Sequence, residues 1–182
     1  MGFYCPPGSV QPLPCPGGTY SNVTMIASVE QCHDCPSGSY CPVASHKPKP
    51  CAMGTYNAIK KRETCPRCKP GTFQQDEGAT KCELCHKGHY CLMGASTPQP
   101  CPAGTFASQP GLAASAQCTI TPQGFFSGIG SSRPEACPIG SFSCSNGSTT
   151  CSTCPDGAYT NSTGATECTL CVKRSNLRPS RD

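Results

Sequence analysis

Aromatic residues occur singly along this chain, and nearly all of them end the same short pattern, Cys-x-x-Gly-x-aromatic. The pattern occurs at 15–20, 35–40, 51–56, 68–73, 85–90, 101–106, 137–142 and 154–159. With Tyr4 and Phe126, ten of the twelve Tyr and Phe residues occupy this position. Proline after the cysteine presets a dihedral for a turn, glycine suits the turn exit, and the aromatic residue begins a short strand. The pattern predicts short β-hairpins and turns with little or no helix, in which each ring covers a neighbouring disulfide.

The same residues also repeat over a longer period of 86 positions. This shift aligns Cys5 with Cys91, Cys15 with Cys101, Cys32 with Cys118, Cys51 with Cys137, Cys65 with Cys151, Cys68 with Cys154, Cys82 with Cys168 and Cys85 with Cys171. We therefore predict small disulfide-rich repeats in an elongated linear array, in which each module contacts mainly its neighbours. The expected divisions are a partial repeat at 1–34, repeats at 35–84 and 85–120, a degenerate repeat at 121–170, and a basic non-repeat tail at 171–182.

The departures from the repeat indicate which cysteines pair. The shift places Thr121 opposite Cys35 and Ser127 opposite Cys41, so both cysteines of one small loop are lost together, as expected of a bonded pair. The predicted bridges are Cys35–Cys41, Cys85–Cys91, Cys15–Cys32, Cys51–Cys65, Cys68–Cys82, Cys101–Cys118, Cys137–Cys151 and Cys154–Cys168. Cys5, Cys144 and Cys171 remain unpaired, although Cys144 is also a competitor for Cys137 or Cys151. A crossed connectivity stays open, because sequence alone does not fix pairing.

The amino-acid composition indicates in which cellular compartment the protein is found. The 182 residues include 19 Cys, 20 Pro and 19 Gly but no Trp, so the chain lacks the apolar residues for one large core. Disulfides persist in oxidising compartments, which points to an extracellular or cell-surface location. The net charge of +4 is concentrated in residues 47–69 and 173–181, and we attribute it to solubility rather than to nucleic-acid binding. No signal peptide or membrane-spanning run is present in the sequence, so we expect an internal piece of a longer protein.

Four stretches resemble the ephrin-receptor-like cysteine-rich repeat: CPSGSYC, CPAGTF, CKPGTFQQDEGATKCELC and CPDGAYTNSTGATECTLC. They are also similar, more loosely, to the cysteine-rich modules of tumour necrosis factor receptors. The resemblance covers residues 1–171 and implies an EGF-like or ladder-like rod in a large surface protein, with a spacer or adhesion role and no enzymatic activity. Thr121, Ser127 and Cys144 depart from the family pattern, which makes the geometry of residues 118–151 an open point.

Metal and catalytic chemistry are the competing interpretations. The two quartets Cys65, Cys68, Cys82, Cys85 and Cys151, Cys154, Cys168, Cys171 come near zinc-ribbon spacing. Zinc is disfavoured because the turn pattern follows single cysteines as faithfully as paired ones. The histidines are expected to be exposed loop residues, and only His89, two residues from Cys91, suggests a Cys/His site. No catalytic triad or paired carboxylates can be identified, so we expect no enzyme, no bound metal and no cofactor.

Surface features complete the functional expectations. The triplets at Asn22, Asn146 and Asn161 are N-glycosylation sequons, each within a predicted loop. The Lys60, Lys61 and Arg62 cluster either binds heparin-like polyanions or is a solvated loop. We predict an extracellular spacer or adhesion segment; the alternatives are the ligand-binding region of a receptor ectodomain and an intracellular zinc module. The expected partner is an extracellular protein or glycan, without nucleic acid and without membrane contact by this segment, within a parent that is membrane-anchored or secreted.

Overall fold

The computed structural model describes residues 1–172, and within them one structural unit is stacked repeatedly. Each unit runs from one turn pattern to the residue before the next. Units 1 to 10 cover residues 1–14, 15–34, 35–50, 51–67, 68–84, 85–100, 101–120, 121–136, 137–153 and 154–170. The predicted basic tail lies outside the described residues, apart from its first two positions.

Each unit except unit 4 closes with a two-residue antiparallel hairpin. The paired strands are Phe3–Tyr4 with Leu13–Pro14, Thr19–Tyr20 with His33–Asp34, Ser39–Tyr40 with Lys49–Pro50, Thr72–Phe73 with Glu83–Leu84, His89–Tyr90 with Gln99–Pro100, Thr105–Phe106 with Thr119–Ile120, Phe125–Phe126 with Glu135–Ala136, Ser141–Phe142 with Ser152–Thr153, and Ala158–Tyr159 with Thr169–Leu170. In unit 4 a single bridge between Thr55 and Arg67 takes the hairpin's place. Within residues 1–172 the helical residues are two 3₁₀ turns, Val29–Gln31 and Ser115–Gln117. The predicted fold class is confirmed.

The turn pattern forms a β-turn whose register differs from the one expected. In unit 2 the backbone nitrogen of Thr19 donates to the Pro16 carbonyl over 3.1 Å, so Pro16 is the first residue of the turn. Gly18, with φ of 81°, is the third residue, the place where a type II turn requires a positive φ. Glycine is therefore needed inside the turn rather than at its exit. The Thr19 hydroxyl adds a second bond of 2.7 Å to the same carbonyl.

Each turn glycine also joins its unit to the next one. Gly38 donates its backbone hydrogen to the Asn57 carbonyl in unit 4 over 2.8 Å, and its own carbonyl accepts from Cys51 over 2.9 Å. Equivalent bonds recur along the array, so backbone polar groups are paired between neighbours rather than within one sheet. The chain exposes 11664 Å², whereas a compact monomer of this mass exposes about 8300 Å². The array is accordingly extended, with neighbour-to-neighbour contacts typical of repeat proteins.

Two columns of small residues form the narrow core. One is the first residue of units 2 to 9, which is a fully buried cysteine in every case except Thr121 of unit 8, itself fully buried. The second, which the sequence pattern did not reveal, is the residue after the ring: Ser21, Cys41, Asn57, Gln74, Cys91, Ala107, Ser127, Ser143 and Thr160 are all buried. None of these residues is charged or a large aliphatic. That restriction was the signal in the sequence from which this buried column could have been predicted. Bridges and polar side chains therefore take the place of a large aliphatic core.

A second turn in each unit places one residue in the left-handed region, and from unit 3 onward this residue bonds to the preceding unit. In seven units this residue is glycine, as at Gly78, whose backbone nitrogen donates to the Cys51 carbonyl over 2.8 Å. In units 2 to 4 the same position holds Met25, Ala44 and Lys61, with φ of 59°, 61° and 63°. A side chain in this conformation costs about 1–2 kcal/mol per residue, so these three positions carry backbone strain.

Replacing Ala44 with glycine is therefore expected to stabilise the chain. The relief of left-handed strain exceeds the added entropy of an unfolded glycine, which leaves a gain of about 0.5–1 kcal/mol. Calorimetric unfolding without reductant measures this gain. The control is Ala103→Gly, at an exposed turn position outside the left-handed region, which we expect to lower stability instead. A loss of stability in both variants would contradict the explanation.

Candidate functional site

Eight disulfide bridges stabilise the stacked units, and they join the cysteine pairs that the sequence predicts. They are Cys15–Cys32, Cys35–Cys41, Cys51–Cys65, Cys68–Cys82, Cys85–Cys91, Cys101–Cys118, Cys137–Cys151 and Cys154–Cys168. Cys5, Cys144 and Cys171 are free and exposed. Cys144 thus bonds with neither Cys137 nor Cys151. A bridge that closes a loop of about 15 residues contributes roughly 3 kcal/mol by the chain-entropy estimate, so these bridges can replace a large core.

Cysteines of the quartet with zinc-ribbon spacing are bonded in bridges that belong to different units. Cys65 is bonded to Cys51 in its own unit, whereas Cys85 is bonded to Cys91 in unit 6. A bridged sulfur is not a thiolate and does not act as a thiolate ligand to zinc. Within residues 1–172 no three His, Cys, Asp or Glu side chains are grouped as metal ligands would be.

Aromatic rings pack on the disulfide of the following unit, as predicted. Tyr4 covers the Cys15–Cys32 bridge, and Tyr90 covers the Cys101–Cys118 bridge. Most rings remain half-exposed, while Phe73 is buried, with 2% of its surface accessible. The array therefore presents a row of aromatic rings that are partly open to solvent and lie over largely buried bridges.

Unit 8 has no disulfide, because Thr121 and Ser127 stand where units 3 and 6 have bonded cysteines. Both side chains are almost fully buried, and neither hydroxyl has a hydrogen-bond partner. The backbone keeps the bonding of a bridged unit: Thr121 donates to the Gly104 carbonyl over 3.0 Å, as Cys35 does to Gly18 over 2.9 Å. The replacement of both cysteines in unit 8 thus removes the disulfide and leaves the backbone hydrogen bonds in place.

Two neighbouring clefts open between the rings and the turns of the next unit. The larger has a volume of about 300 Å³ and is lined by Tyr56, Lys69, Thr72, Lys81 and Cys82. The smaller, of about 230 Å³, is lined by Tyr40, Ala52, Thr55, Thr64 and Cys65 at the equivalent positions one unit earlier. The repeat thus builds a cleft from a ring, a turn and a bridge, and sequence differences decide its charge. Sequence reasoning missed this site because its walls come from two units.

The histidines are distributed along the array as surface residues. His33 lies opposite Tyr20 in a hairpin, with ring centres 5.7 Å apart. The Nδ1 atom of His89 lies 3.1 Å from the Lys87 carbonyl oxygen. Cys91, the residue that suggested a Cys/His site with His89, is bonded to Cys85 and is fully buried. The two remaining histidines, His46 and His86, are exposed.

The three sequon asparagines are exposed, in two different settings. Asn22 and Asn161 each follow the buried residue that comes after the ring, so both lie at the same place in their units. Asn146 lies in the second turn of unit 9, where its side-chain oxygen accepts a hydrogen bond of 3.2 Å from the Gln123 backbone. All three remain candidate glycosylation sites.

Comparison with known families identifies the C-terminal units. Residues 124–171 match the family described as tyrosine-protein kinase ephrin type A/B receptor-like. This segment is similar to an ephrin-receptor-like cysteine-rich repeat. The matched residues include the bridges Cys137–Cys151 and Cys154–Cys168 and both turns of units 9 and 10. No curated protein matches the chain.

The hydrogen-bond geometry of the matched segment recurs through the rest of the array. In units 2 to 7, as in the matched segment, the turn glycine bonds to the residue after the next ring and to the next unit's first residue. The family match and the eight bridges indicate an extracellular cysteine-rich repeat segment. No helix within residues 1–172 has the length and apolar character needed to cross a membrane.

Proposed function

We propose that this chain is a non-catalytic spacer with an adhesive surface in a larger secreted or cell-surface protein. The observation that supports this role most directly is the unit-to-unit hydrogen bonding, which repeats at every step from unit 1 to unit 9. An array built this way holds whatever is attached to its two ends at a separation set by the number of units. Disulfides within units keep that separation without a large core.

The spacer role predicts that length can be changed without loss of fold. Deleting residues 35–120 removes one full 86-residue period, together with five complete bridges and no single partner of a bridge. Unit 2 then meets unit 8, whose backbone bonds match those of unit 3. We expect the longest dimension from small-angle X-ray scattering to fall by roughly half, in keeping with linear stacking.

The control is a deletion of residues 35–100, which places unit 7 after unit 2 and breaks the order of long and short units. Both deletions are made in protein secreted through an oxidising pathway, with free thiols blocked and counted by intact mass. The spacer proposal expects three blocked thiols in the full chain and in the 86-residue deletion alike, because Cys5, Cys144 and Cys171 are retained. An unchanged longest dimension, or bound zinc with many reactive thiols, would overturn it.

A ligand-binding region of a receptor ectodomain is the second candidate, and the two clefts are the observation that favours it. They are shallow, but they place an aromatic ring beside polar side chains, as binding sites do. This role adds a protein or glycan partner to the spacer and keeps the same array.

A further inference from the structure

Positive charge is concentrated in the middle of the array, around the larger cleft. Residues 47–87 contain nine Lys and Arg residues and four Asp and Glu residues, a net charge of +5. The other described residues contain Arg133 alone against five acidic residues, a net charge of −4. This separation of charge produces a positive potential around residues 47–87 that is not evident from the net charge of +4 for the whole chain.

The larger cleft lies within this segment and is itself lined by two cations. Lys69 belongs to the turn of unit 5, and Lys81 precedes that unit's second cysteine, so the two approach the cleft from separate parts of the unit. The Tyr56 ring and the Cys82 bridge supply apolar surface in the same cleft. The Thr72 hydroxyl donates to the Lys69 carbonyl over 2.7 Å, which fixes the turn that carries Lys69. None of the residues that line either cleft is acidic.

The neighbouring units extend this basic surface along the array. Lys49 pairs across the unit 3 hairpin with Tyr40, whose ring lines the smaller cleft. Lys47 holds in unit 3 the place that Lys81 holds in unit 5, three residues before the unit's last residue. Lys61 is the cation already paired, at 3.2 Å from the Asp34 carboxylate. The cations are therefore distributed over consecutive units. A small acidic ligand would instead need the cations clustered around one point.

We propose that units 3 to 5 bind a sulfated glycosaminoglycan, with one acidic sugar seated in the cleft of Tyr56, Lys69 and Lys81. A sugar ring has an apolar C–H face that can lie on the aromatic ring, while sulfate and carboxylate groups at its edge meet the two ammonium groups. A linear polyanion then continues toward Lys49 and Lys47. This inference rests on the proposed extracellular role, because sulfated glycans are found outside the cell.

The test is binding of a heparin dodecasaccharide to the full-length chain, measured by isothermal calorimetry over a series of salt concentrations. We expect affinity to fall as salt rises, since bound cations displace counterions from the polyanion. Lys69→Gln with Lys81→Gln should weaken binding about tenfold, because two charged contacts are lost at once. The control is Arg67→Gln with Lys87→Gln, which removes the same charge from the same segment at two exposed residues outside both clefts, and should weaken binding by no more than about threefold.

Three results would overturn the proposal. Equal losses in the two double variants would show a diffuse basic field without a seated sugar. Equal binding of the fully desulfated dodecasaccharide would exclude sulfate recognition, and equal binding of a poly-glutamate peptide would show that the surface recognises negative charge without a sugar. Scattering and thiol counts on the same samples separate the two proposals. A chain with the expected length and three free thiols that binds no heparin refutes this inference alone, whereas a wrong length or thiol count refutes the spacer.

Discussion

Gly88→Ala is expected to destabilise the array by about 3 kcal/mol, one of the largest effects of any single substitution in the chain. Gly88 has φ of 78°, so a Cβ atom would bring left-handed strain. The same Cβ would overlap the carbonyl oxygen of Gly130, which belongs to the second turn of unit 8, two units further along. Relieving that overlap requires the units to separate, which would weaken the bonds from Gly88 to Ala107 and Cys101.

The matched control is Gly8→Ala. Gly8 also has φ of 78°, but nothing lies within 4 Å of its Cβ position. In this variant the free energy of unfolding should fall only by the cost of the left-handed backbone conformation, about 1 kcal/mol. Calorimetry without reductant gives both free energies, and amide hydrogen exchange at Ala107 reports whether the inter-unit bond opens. Equal losses at the two glycines would mean that stacking between alternate units contributes nothing to stability.

Thr121→Cys combined with Ser127→Cys is expected to form a ninth bridge and to stabilise the array by about 2–4 kcal/mol. The equivalent pairs in units 3 and 6 both bridge a separation of six residues with Cα atoms 5.9 Å apart. Closing a loop this short contributes about 2 kcal/mol. The remainder comes from removing two buried hydroxyl groups that have no hydrogen-bond partner.

Thr121→Val combined with Ser127→Ala separates these two contributions. It removes the same hydroxyl groups without a covalent link, so its gain reports desolvation alone and the difference reports the bridge. Intact mass after thiol blocking should still count three free thiols in the double-cysteine variant. Five blocked thiols would show that the unit 8 loop does not hold its two positions at bridging distance.

Among units 2 to 10, unit 8 is therefore the one that should open first, because each of the others contains a disulfide. Residues 119–136 contain no cysteine, whereas the units on either side are closed by Cys101–Cys118 and Cys137–Cys151. Local opening is favoured where fewer constraints act, so exchange and proteolysis should concentrate in these residues. The family match begins within this unit, at residue 124, which agrees with a segment that keeps the fold while lacking the bridge.

The hairpin unit and its bridges could be predicted from sequence because they depend on residues close together in the chain. Cys35 and Cys41 are six positions apart, and their joint replacement at Thr121 and Ser127 identified them as partners without coordinates. The predicted register of the turn was wrong. Proline favours the second position of a turn in general, but here Pro16 holds the first position, because the Thr19 backbone and hydroxyl both bond to its carbonyl.

The amino-acid sequence by itself determined the repeat and the disulfide-rich class and indicated an oxidising compartment, since cysteine spacing and the scarcity of large aliphatic residues leave few other ways to stabilise the chain. Only the tertiary structure decided which positions meet between units. The burial of Asn57, the strain at Ala44 and the convergence of Lys69 and Lys81 on Tyr56 all arise where one unit packs on the next. The repeat alone does not predict these contacts, because they depend on the rotation and rise from one unit to its neighbour.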